Sequence, residues 1–190
     1  MLFFIADTHF GHKNAIWYDH RPFQSVKEMD EELIKRWNSR VTNGDTVYIL
    51  GDFSWHNTDR TMRILKRLKG KKRLIKGNHD RVKSPELRKE FDYIKEYEQI
   101  SVGRKVLILC HYSIPFYNRH HHDAVMIHGH THNSKEHLLE LEIERYINES
   151  GIPCNMYNVG CMLPYMDYTP RTLDEIIEGK QQYMQQIKNL

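Results

Sequence analysis

Five short apolar runs along this chain each end in residue types that bind metal ions or transfer protons. In chain order these ends are Asp7-Thr8-His9, Gly51-Asp52, Gly77-Asn78-His79-Asp80, His111 and Gly129-His130-Thr131-His132. Short apolar runs bounded by such residues are typical of buried strands. In α/β sheets, ligands bind beyond the carboxyl ends of the strands. If the five strands are neighbours, their five loops converge on one site.

Helical patterns separate the first three runs. Strands are predicted at residues 2–6, 46–50 and 73–75. Ser25 and Glu28 have the spacing of a capping box, and Ser84 followed by Pro85 indicates the start of a short helix. Between these two helix starts, apolar residues at 62, 65 and 68 predict another helix, which Gly70 ends. This alternation predicts parallel strands connected by helices.

The second half of the chain has a different pattern. Residues 97–102 and 105–110 predict a hairpin around Gly103, and residues 124–127 and 137–141 predict two further strands. Thr172 is the expected N-cap of a C-terminal helix. Residues 142–153 receive no assignment. Together the patterns predict an α/β protein with a mixed or double sheet, in one domain over residues 1–190.

Composition excludes several classes of protein. The longest apolar run, residues 1–6, is far shorter than the ~20 residues of a membrane span, and it does not have the pattern of a signal peptide. The three cysteines lack CxxC spacing, so we expect neither a disulfide framework nor a cysteine zinc site. These features predict a cytoplasmic protein that does not bind membranes.

Histidine and positive charge are both unevenly distributed. Eight of the 13 histidines lie between His111 and His137, and histidine is the commonest metal ligand. The segment from Arg60 to Lys89 contains 13 Lys and Arg but only two acids. This segment is consistent with an anionic substrate or partner, and also with the solvated basic face of a surface helix.

Spacing within the motifs favours a shared site. Asp7 and His9 are two residues apart, as are His130 and His132, so each pair points to one side of an extended chain. Three of the motifs place a glycine directly before a candidate ligand, where it permits close backbone approach. Each motif alone could be a turn capped by Asp or Asn. The occurrence of all five after apolar runs favours a common site.

The ordered set of motifs resembles the calcineurin-like metallophosphoesterases. The start of the chain at residues 7–12 and the segment from Asn158 through Pro170 also resemble small bacterial and phage members of that family. The resemblance implies a four-layer α/β/β/α sandwich of two mixed sheets with helices on the outside. It also implies a site for two metal ions.

The resemblance further implies roles for individual residues. One metal would be held by Asp7, His9, Asp52 and His132. The other would be held by Asp52, Asn78, His111 and His130, with Asp52 bridging the two. The catalytic histidine would be His79, oriented by Asp80.

The chemistry of this ligand set suits phosphoester hydrolysis. Imidazoles and carboxylates without thiolate favour Mn, Fe or Zn over Ca or Mg. Two such ions about 3.5–4 Å apart can lower the pKa of a shared water and neutralise phosphoryl oxygens. A histidine that is not a ligand, as expected for His79, can protonate the leaving alkoxide.

Several residues near the motifs are candidates for roles other than metal binding. His12 could contact the phosphate or make a structural hydrogen bond. Arg21 could pair bidentately with a phosphate. The run from His120 to His122 is expected on a solvated loop near the site mouth, and His128 is expected to be a strand residue.

Three functions are compatible with these observations. The first is hydrolysis of a small phosphomonoester or phosphodiester, with a phosphorylated small molecule as substrate. The second is a nuclease that uses the segment from Arg60 to Lys89 to bind nucleic acid, with steep salt dependence. The third is a non-catalytic scaffold, like a retromer subunit that resembles this family. The presence of every ligand position and of His79 argues against the scaffold.

Overall fold

The computed structural model describes residues 1–187 and contains two four-stranded β-sheets with helices outside them. The strands are β1 (Leu2–Ile5), β2 (Thr46–Ile49), β3 (Lys71–Ile75), β4 (Tyr93–Lys95), β5 (Tyr97–Val102), β6 (Lys105–Cys110), β7 (Val125–His128) and β8 (Met156–Asn158). The helices are α1 (Lys13–Tyr18), α2 (Val26–Arg40), α3 (Thr58–Arg67), α4 (Pro85–Arg88), α5 (Lys135–Glu149) and α6 (Leu173–Ile187).

The first sheet has the order β1-β2-β3-β4 and is parallel throughout. Ile5 lies opposite Ile49, and Ile49 lies opposite Leu74, so the first three strands end at the same edge. The predicted alternation of strand and helix is confirmed. Strand β3 begins at Lys71, two residues before the predicted start, and β4 was not predicted from the sequence.

The second sheet has the order β5-β6-β7-β8 and is mixed. Strands β5 and β6 form the predicted antiparallel hairpin, whereas β6, β7 and β8 are parallel. Along β6 the side chains alternate between faces. Leu107 and Leu109 belong to the large core shared with the first sheet, while Ile108 and Cys110 belong to a second, smaller core. His128 is the last residue of β7, as expected.

The four layers follow from these two cores. The large core joins side chains of both sheets, such as Phe3 and Ile127, with those of α2 and α3, such as Leu33 and Leu65. On the far side of the second sheet, Ile147 of α5 packs into the smaller core. Helix α6 packs against β1 and β8. The predicted α/β sandwich of two sheets flanked by helices is confirmed.

Helix starts follow the predicted capping residues. Ser25 Oγ accepts a hydrogen bond from the Glu28 backbone N–H, and Ser84 Oγ accepts one from Leu87. At the start of α6, the carboxylate of Glu175 accepts hydrogen bonds from both the backbone N–H and the hydroxyl of Thr172. In the described part of the chain, no helix is both long enough and apolar enough to cross a membrane.

The prediction of a strand at residues 137–141 is wrong. These residues lie within α5, which also covers most of the segment left without assignment. Buried residues of α5 recur with helical spacing at His137, Glu140 and Leu141, while Leu138 and Leu139 face outward. Two of the three inward residues are polar, so an apolar pattern could not reveal this face.

A short segment after β8 connects the two sheets. The Ala6 N–H donates to Val159 O at 2.8 Å, and the Cys161 N–H donates to Ala6 O at 2.9 Å. The Val159 N–H in turn donates to His128 O at 2.8 Å. The end of β1 is therefore held beside the end of β7, which brings the first and last metal-ligand motifs together.

Candidate active site

The first two motif loops run side by side because their backbones continue the pairing of β1 with β2. The Asp7 N–H donates to Gly51 O at 3.0 Å, and the His9 N–H donates to Asp52 O at 3.0 Å. The third loop packs against them at Gly77. A Cβ on Gly77 would lie 2.3 Å from Asp52 Oδ1, so only glycine allows this approach.

The fourth loop depends on Gly51 in the same way. This residue has a φ of +89°, and a Cβ there would lie 2.2 Å from His111 Nδ1. The predicted role of glycine beside candidate ligands is confirmed at both positions. The His111 imidazole therefore packs directly on the backbone of the loop that carries Asp52.

Five of the seven predicted ligand residues have left-handed backbone conformations, which are uncommon for residues other than glycine. Their φ values are +55° at Asp7, +49° at His9, +51° at Asp52, +74° at His130 and +52° at His132. Each such residue costs about 1–3 kcal/mol and persists only where its surroundings hold it. The concentration of this strain at the motif loops supports a functional role for them.

The Asp52 carboxylate lies at the centre of the site. Its Oδ2 atom is 3.7 Å from His9 Nε2, 3.6 Å from His111 Nε2 and 4.0 Å from His79 Nε2. Its Oδ1 atom accepts a hydrogen bond from the His79 backbone N–H at 2.9 Å. Asp52 therefore faces histidines from three different loops.

On one side of Asp52, the ligand atoms of Asp7, His9 and His132 all lie within 4.8 Å of one another. His9 Nε2 is 3.1 Å from His132 Nε2, and Asp7 Oδ1 is 3.7 Å from His132 Nε2. Two imidazole nitrogens bound to one zinc ion would also be about 3 Å apart. Asp7 Oδ1 is buried without a hydrogen-bond partner. A cation would satisfy these atoms.

On the other side, the ligand atoms of Asp7, Asp52 and His111 form a second group of the same kind. Asn78 Oδ1 lies 3.0 Å from His111 Nε2, as the predicted ligand pair requires. The His130 ring packs against the His111 ring at 5.1 Å, and its backbone N–H donates to Asp7 Oδ2. Among the described residues, neither convergent group includes a His130 nitrogen. Its role as a ligand stays a prediction.

Hydrogen bonds to the far side of two imidazoles show how a cation would fit. His111 Nδ1 donates to Leu50 O at 2.7 Å, and His132 Nδ1 donates to the Asp19 carboxylate at 2.7 Å. In a neutral imidazole this leaves a lone pair on Nε2. Each lone pair then faces another acceptor or ring nitrogen, on Asn78 or on His9. This donor set fits a metal ion.

The electrostatics of the site lead to the same conclusion. Burial raises the pKa of the Asp7 carboxyl to about 6. Burial, together with the positive charge of neighbouring groups, lowers the pKa of the His9 imidazole far below its usual range. A neutral His9 can act as a ligand, and a nearby cation would offset the cost of a buried Asp7 carboxylate.

His79 is positioned differently from the buried histidines. Its side chain is 43% exposed, compared with 4% for His9 and 0% for His111. Its ring lies 4.6 Å from the ring of Trp55, which is itself exposed. His79 therefore stands at the mouth of the site, where a leaving group can reach it.

The interpretation that Asp80 orients the His79 ring is wrong in its geometry. Asp80 Oδ2 accepts hydrogen bonds from the backbone N–H groups of Asp52 and Gly77, and Oδ1 accepts one from Phe53, each at 2.9 Å. The pKa of Asp80 is raised by burial, although these hydrogen bonds act in the opposite direction. Asp80 therefore joins the second and third motif loops through their backbones.

The interpretation of Arg21 as a phosphate-binding residue is also wrong. Its guanidinium is buried and donates to the backbone oxygens of Asp7 and Thr8, each at 2.9 Å. It also pairs with Asp19. Arg21 thus holds the first motif loop from behind and does not face the site mouth. The sequence shows its charge but not the direction of its side chain.

Two neighbours of the site had no role in the sequence interpretation. Asp19 accepts the hydrogen bond from His132, and nothing in its local sequence distinguishes it from other helix-end acids. Trp55 stacks on His12, with ring centres 4.1 Å apart and planes at 7°. The sequence feature that could have indicated Trp55 is its place as a large aromatic residue three positions after Asp52. A phosphate contact by His12 stays a prediction.

The histidine run from His120 to His122 forms a short 3-10 turn. His121 and His122 are exposed, while His120 Nδ1 lies 3.1 Å from Pro153 O. The predicted solvent exposure is confirmed for the last two of these residues. The convergent ligand groups in the described part of the chain contain none of the three.

Comparison with known proteins places this site in a family. The model of the calcineurin-like phosphoesterase superfamily domain matches residues 1–170. An uncharacterized protein of Methanocaldococcus jannaschii is 32% identical over 179 residues, which are 93% of this chain and 89% of that protein. The gene 66 protein of Mycobacterium phage L5 is 41% identical over 80 residues, 40% of this chain and 38% of its own length.

A solved structure agrees along nearly the whole chain. A protein of unknown function from Aquifex aeolicus superposes with a TM-score of 0.70 at 30% identity, covering 94% of this chain and 98% of its own. The fold and site define a metal-dependent phosphoesterase domain. The chain belongs to the calcineurin-like phosphoesterase superfamily, as its motifs predicted. This membership supports metal-dependent phosphoester hydrolysis in general terms.

Proposed function

We propose that this protein hydrolyses phosphoester bonds with two bound divalent transition-metal ions, either Mn, Fe or Zn. The central position of Asp52 carries the proposal, because its Oδ2 atom lies within 4.0 Å of Nε2 atoms from three motif loops. In this proposal Asp7, His9 and His132 hold one ion. Asn78, His111 and His130 hold the other, and Asp52 is shared.

The bound ions would lower the pKa of a water molecule toward neutrality and neutralise the phosphoryl oxygens. The protein supplies the remaining functions. Burial keeps His9 neutral, so that it retains a lone pair for metal binding. His79, exposed at the mouth, donates a proton to the departing oxygen.

We propose that the substrate is a phosphorylated small molecule, either a monoester or a diester. A scaffold function is less consistent with the site, because a binding surface gains nothing from the buried and unpartnered Asp7 Oδ1 or from strained backbone at five ligand residues. We also propose a cytoplasmic location, since all three cysteines are free thiols, as in a reducing compartment.

The number of bound metals tests the proposal most directly. Elemental analysis of protein purified without chelator should show more than one transition-metal equivalent per chain. A fully loaded sample with a single equivalent would contradict the shared role of Asp52. The accompanying activity assay should use Mn with a phosphomonoester, an aryl phosphodiester and a cyclic nucleotide.

His79→Asn tests the acid role. The variant should keep both metals and lose about 10²–10⁴-fold in kcat/KM on an alkyl phosphoester, because the alkoxide needs a proton. The loss on a nitrophenyl ester should be much smaller, since nitrophenolate departs without one. Equal losses on both substrates would instead assign His79 to phosphate binding, and loss of metal would make it a ligand.

A further inference from the structure

A cleft with a volume of about 360 Å³ opens beside His79. His79 forms part of its wall, together with Trp55 and Arg81. Its floor is apolar and consists of core side chains such as Phe53 and Phe91. Binding sites for small organic groups have this size and this mixture of apolar lining with a few polar groups.

Trp55 gives the cleft an aromatic wall. The indole is 43% exposed although it belongs to a site whose other large side chains are mostly buried. His12 stacks against one part of the ring at 4.1 Å and holds it in place, and the remaining surface lines the cleft. A fixed and partly exposed indole is suited to stacking with a planar aromatic group.

A second cavity of about 370 Å³ continues from the first, sharing Asp80, Arg81 and Val82 with it. Its lining contains five basic residues and only two acidic ones, and one of these acids, Asp80, is already bonded to backbone N–H groups. Arg81 and Lys83 are exposed and take part in none of the ion pairs found within residues 1–187. This end of the cleft is suited to an anionic group.

The order of these features along the surface matches one kind of molecule. A phosphoester bound at the metal site would release its leaving group past His79, directly into the aromatic cleft. A further negative charge on that leaving group would reach Arg81. We propose that the cleft binds the leaving group of nucleotide-like phosphoesters, with a planar base against Trp55 and a second phosphate beside Arg81. This inference rests on the proposed function and specifies its substrate class.

Part of the basic segment from Arg60 to Lys89 lines the second cavity. Arg81 and Lys83 lie within it, at the cavity next to the site. Other members of the segment have local partners, such as Arg67, which pairs with Glu31. The charge that matters for substrate binding is therefore expected in the loop after β3 and not along α3.

Three substrates with the same reacting bond separate these contributions. Ribose 5-phosphate, adenosine 5′-monophosphate and adenosine 3′,5′-bisphosphate all release a 5′-alkoxide, so differences in kcat/KM report the base and the second phosphate. With Mn present, the base should raise kcat/KM of the wild type by about 5–150-fold, as expected for one stacked base. The 3′-phosphate should raise it further.

The variants assign each gain to a side chain. Trp55→Ala should lower kcat/KM for adenosine 5′-monophosphate by a larger factor than for ribose 5-phosphate, which removes the advantage of the base, and Trp55→Phe should restore part of that advantage. Arg81→Gln should remove only the advantage of the 3′-phosphate. Arg104→Gln is the matched control, because Arg104 lies in the hairpin turn at the opposite end of β6 from His111. Equal losses on all three substrates in Trp55→Ala would overturn the proposal.

Binding without catalysis separates the failure of this inference from the failure of the proposed function. Saturation-transfer NMR with adenosine and chelator-treated protein reports on the cleft alone. Loss of the signal in Trp55→Ala supports the cleft even if no ester is hydrolysed, in which case only the proposed function fails. Hydrolysis of ribose 5-phosphate and adenosine 5′-monophosphate with equal kcat/KM would leave the proposed function intact and refute the cleft.

Discussion

Two clusters of histidine and carboxylate adjoin the loop that carries His130 and His132. The candidate metal centre is formed by Asp7, His9, Asp52, His111 and His132. The helix-side cluster is formed by His128, His137, Glu140 and Asn158, at the junction of β7, β8 and α5. The two contain the same residue types, yet their hydrogen bonding differs.

In the helix-side cluster, most hydrogen-bond donors are paired with acceptors. Glu140 Oε2 accepts a hydrogen bond from Thr131 Oγ1 at 2.7 Å and lies 3.4 Å from His137 Nδ1. Asn158 Nδ2 donates to Thr131 Oγ1 and to His132 O. Two buried atoms, His137 Nε2 and Glu140 Oε1, lack a hydrogen-bond partner, whereas the other carboxylate oxygen of Glu140 has one. The cluster braces the loop of the metal ligands from behind.

In the candidate metal centre, ring nitrogens of neighbouring histidines face one another, and the backbone of several candidate ligand residues has a positive φ. The closest approach is the 3.1 Å between Nε2 atoms of His9 and His132. The helix-side histidine His137 lies in the regular helix α5, whereas His9 and His132 have positive φ. The two clusters share residue types, so the candidate metal centre is distinguished by acceptor atoms that face one another on strained loops.

The largest expected difference between the clusters comes from a matched pair of carboxylate-to-amide substitutions. Asp52→Asn should weaken binding of both metals and reduce hydrolysis by about 10³-fold or more, because the proposed shared carboxylate is lost. Glu140→Gln should keep both metals and instead lower the free energy of unfolding by about 1–3 kcal/mol, because hydrogen bonds in a buried network are lost. Elemental analysis and urea unfolding measure the two effects.

His132→Ala serves as the control for this pair, since it should reduce the affinity for one metal equivalent only. If Asp52→Asn retained both metals at wild-type affinity, the shared role of Asp52 would be wrong. If Glu140→Gln lost metal as readily as Asp52→Asn, the distinction between the clusters would disappear.

The second difference is in the sign with which the free energy of unfolding depends on pH, measured with chelator present. Burial lowers the pKa of His128 to about 4, so the unfolded chain binds more protons between pH 4 and 6.5. His128 should therefore withdraw about 3 kcal/mol of stability as the pH falls through this range. The raised pKa of Asp7, about 6, has the opposite effect, since ionisation of the folded form is disfavoured.

Difference profiles against His128→Asn and Asp7→Asn isolate the two contributions. Relative to wild type, His128→Asn should lose less stability on acidification from pH 6.5 to 4. Asp7→Asn should gain stability over the wild type as the pH rises from about 4 to 6. Two difference profiles of the same sign would contradict the contrast drawn between the clusters.

The smallest expected effect concerns Asp19, which bonds His132 from outside the centre. Asp19→Asn should weaken one metal site by about tenfold, because partners that orient a ligating histidine contribute about 10–100-fold to affinity. Asp30→Asn is a matched control, since Asp30 Oδ2 lies 2.7 Å from His56 Nε2 in a similar pair whose histidine belongs to neither convergent ligand group of the described residues. Metal titration should show no change in this control.

Much of the fold and site could be predicted from sequence because each motif follows an apolar run. The strands that end before Asp7, Asp52 and His111 therefore lie where the sequence indicated. Strand β4 was missed since only three residues form it. The strand expected at residues 137–141 failed because the inward face of α5 is polar.

The wrong interpretations within the site concern where side chains point and not which residue types are present. Arg21 and Asp80 carry the expected charges, but their side chains point at backbone groups of the motif loops. Asp19 reaches His132 across 113 positions of chain, a contact that no local pattern can show. Positive φ at the ligand residues depends on packing between loops, which is equally invisible in the sequence.

The connection of Ala6 to Val159 and Cys161 has a consequence for biosynthesis. The strands β1, β2 and β3 lie within the first 75 residues and can pair as soon as they leave the ribosome. The last contacts of Ala6 require residue 161, about 100 residues after Asp52. At roughly 5–20 residues per second, synthesis of these residues takes about 5–20 s. The backbone contacts that hold the end of β1 beside the end of β7 therefore form late in the synthesis of each molecule, after every candidate ligand residue has been made.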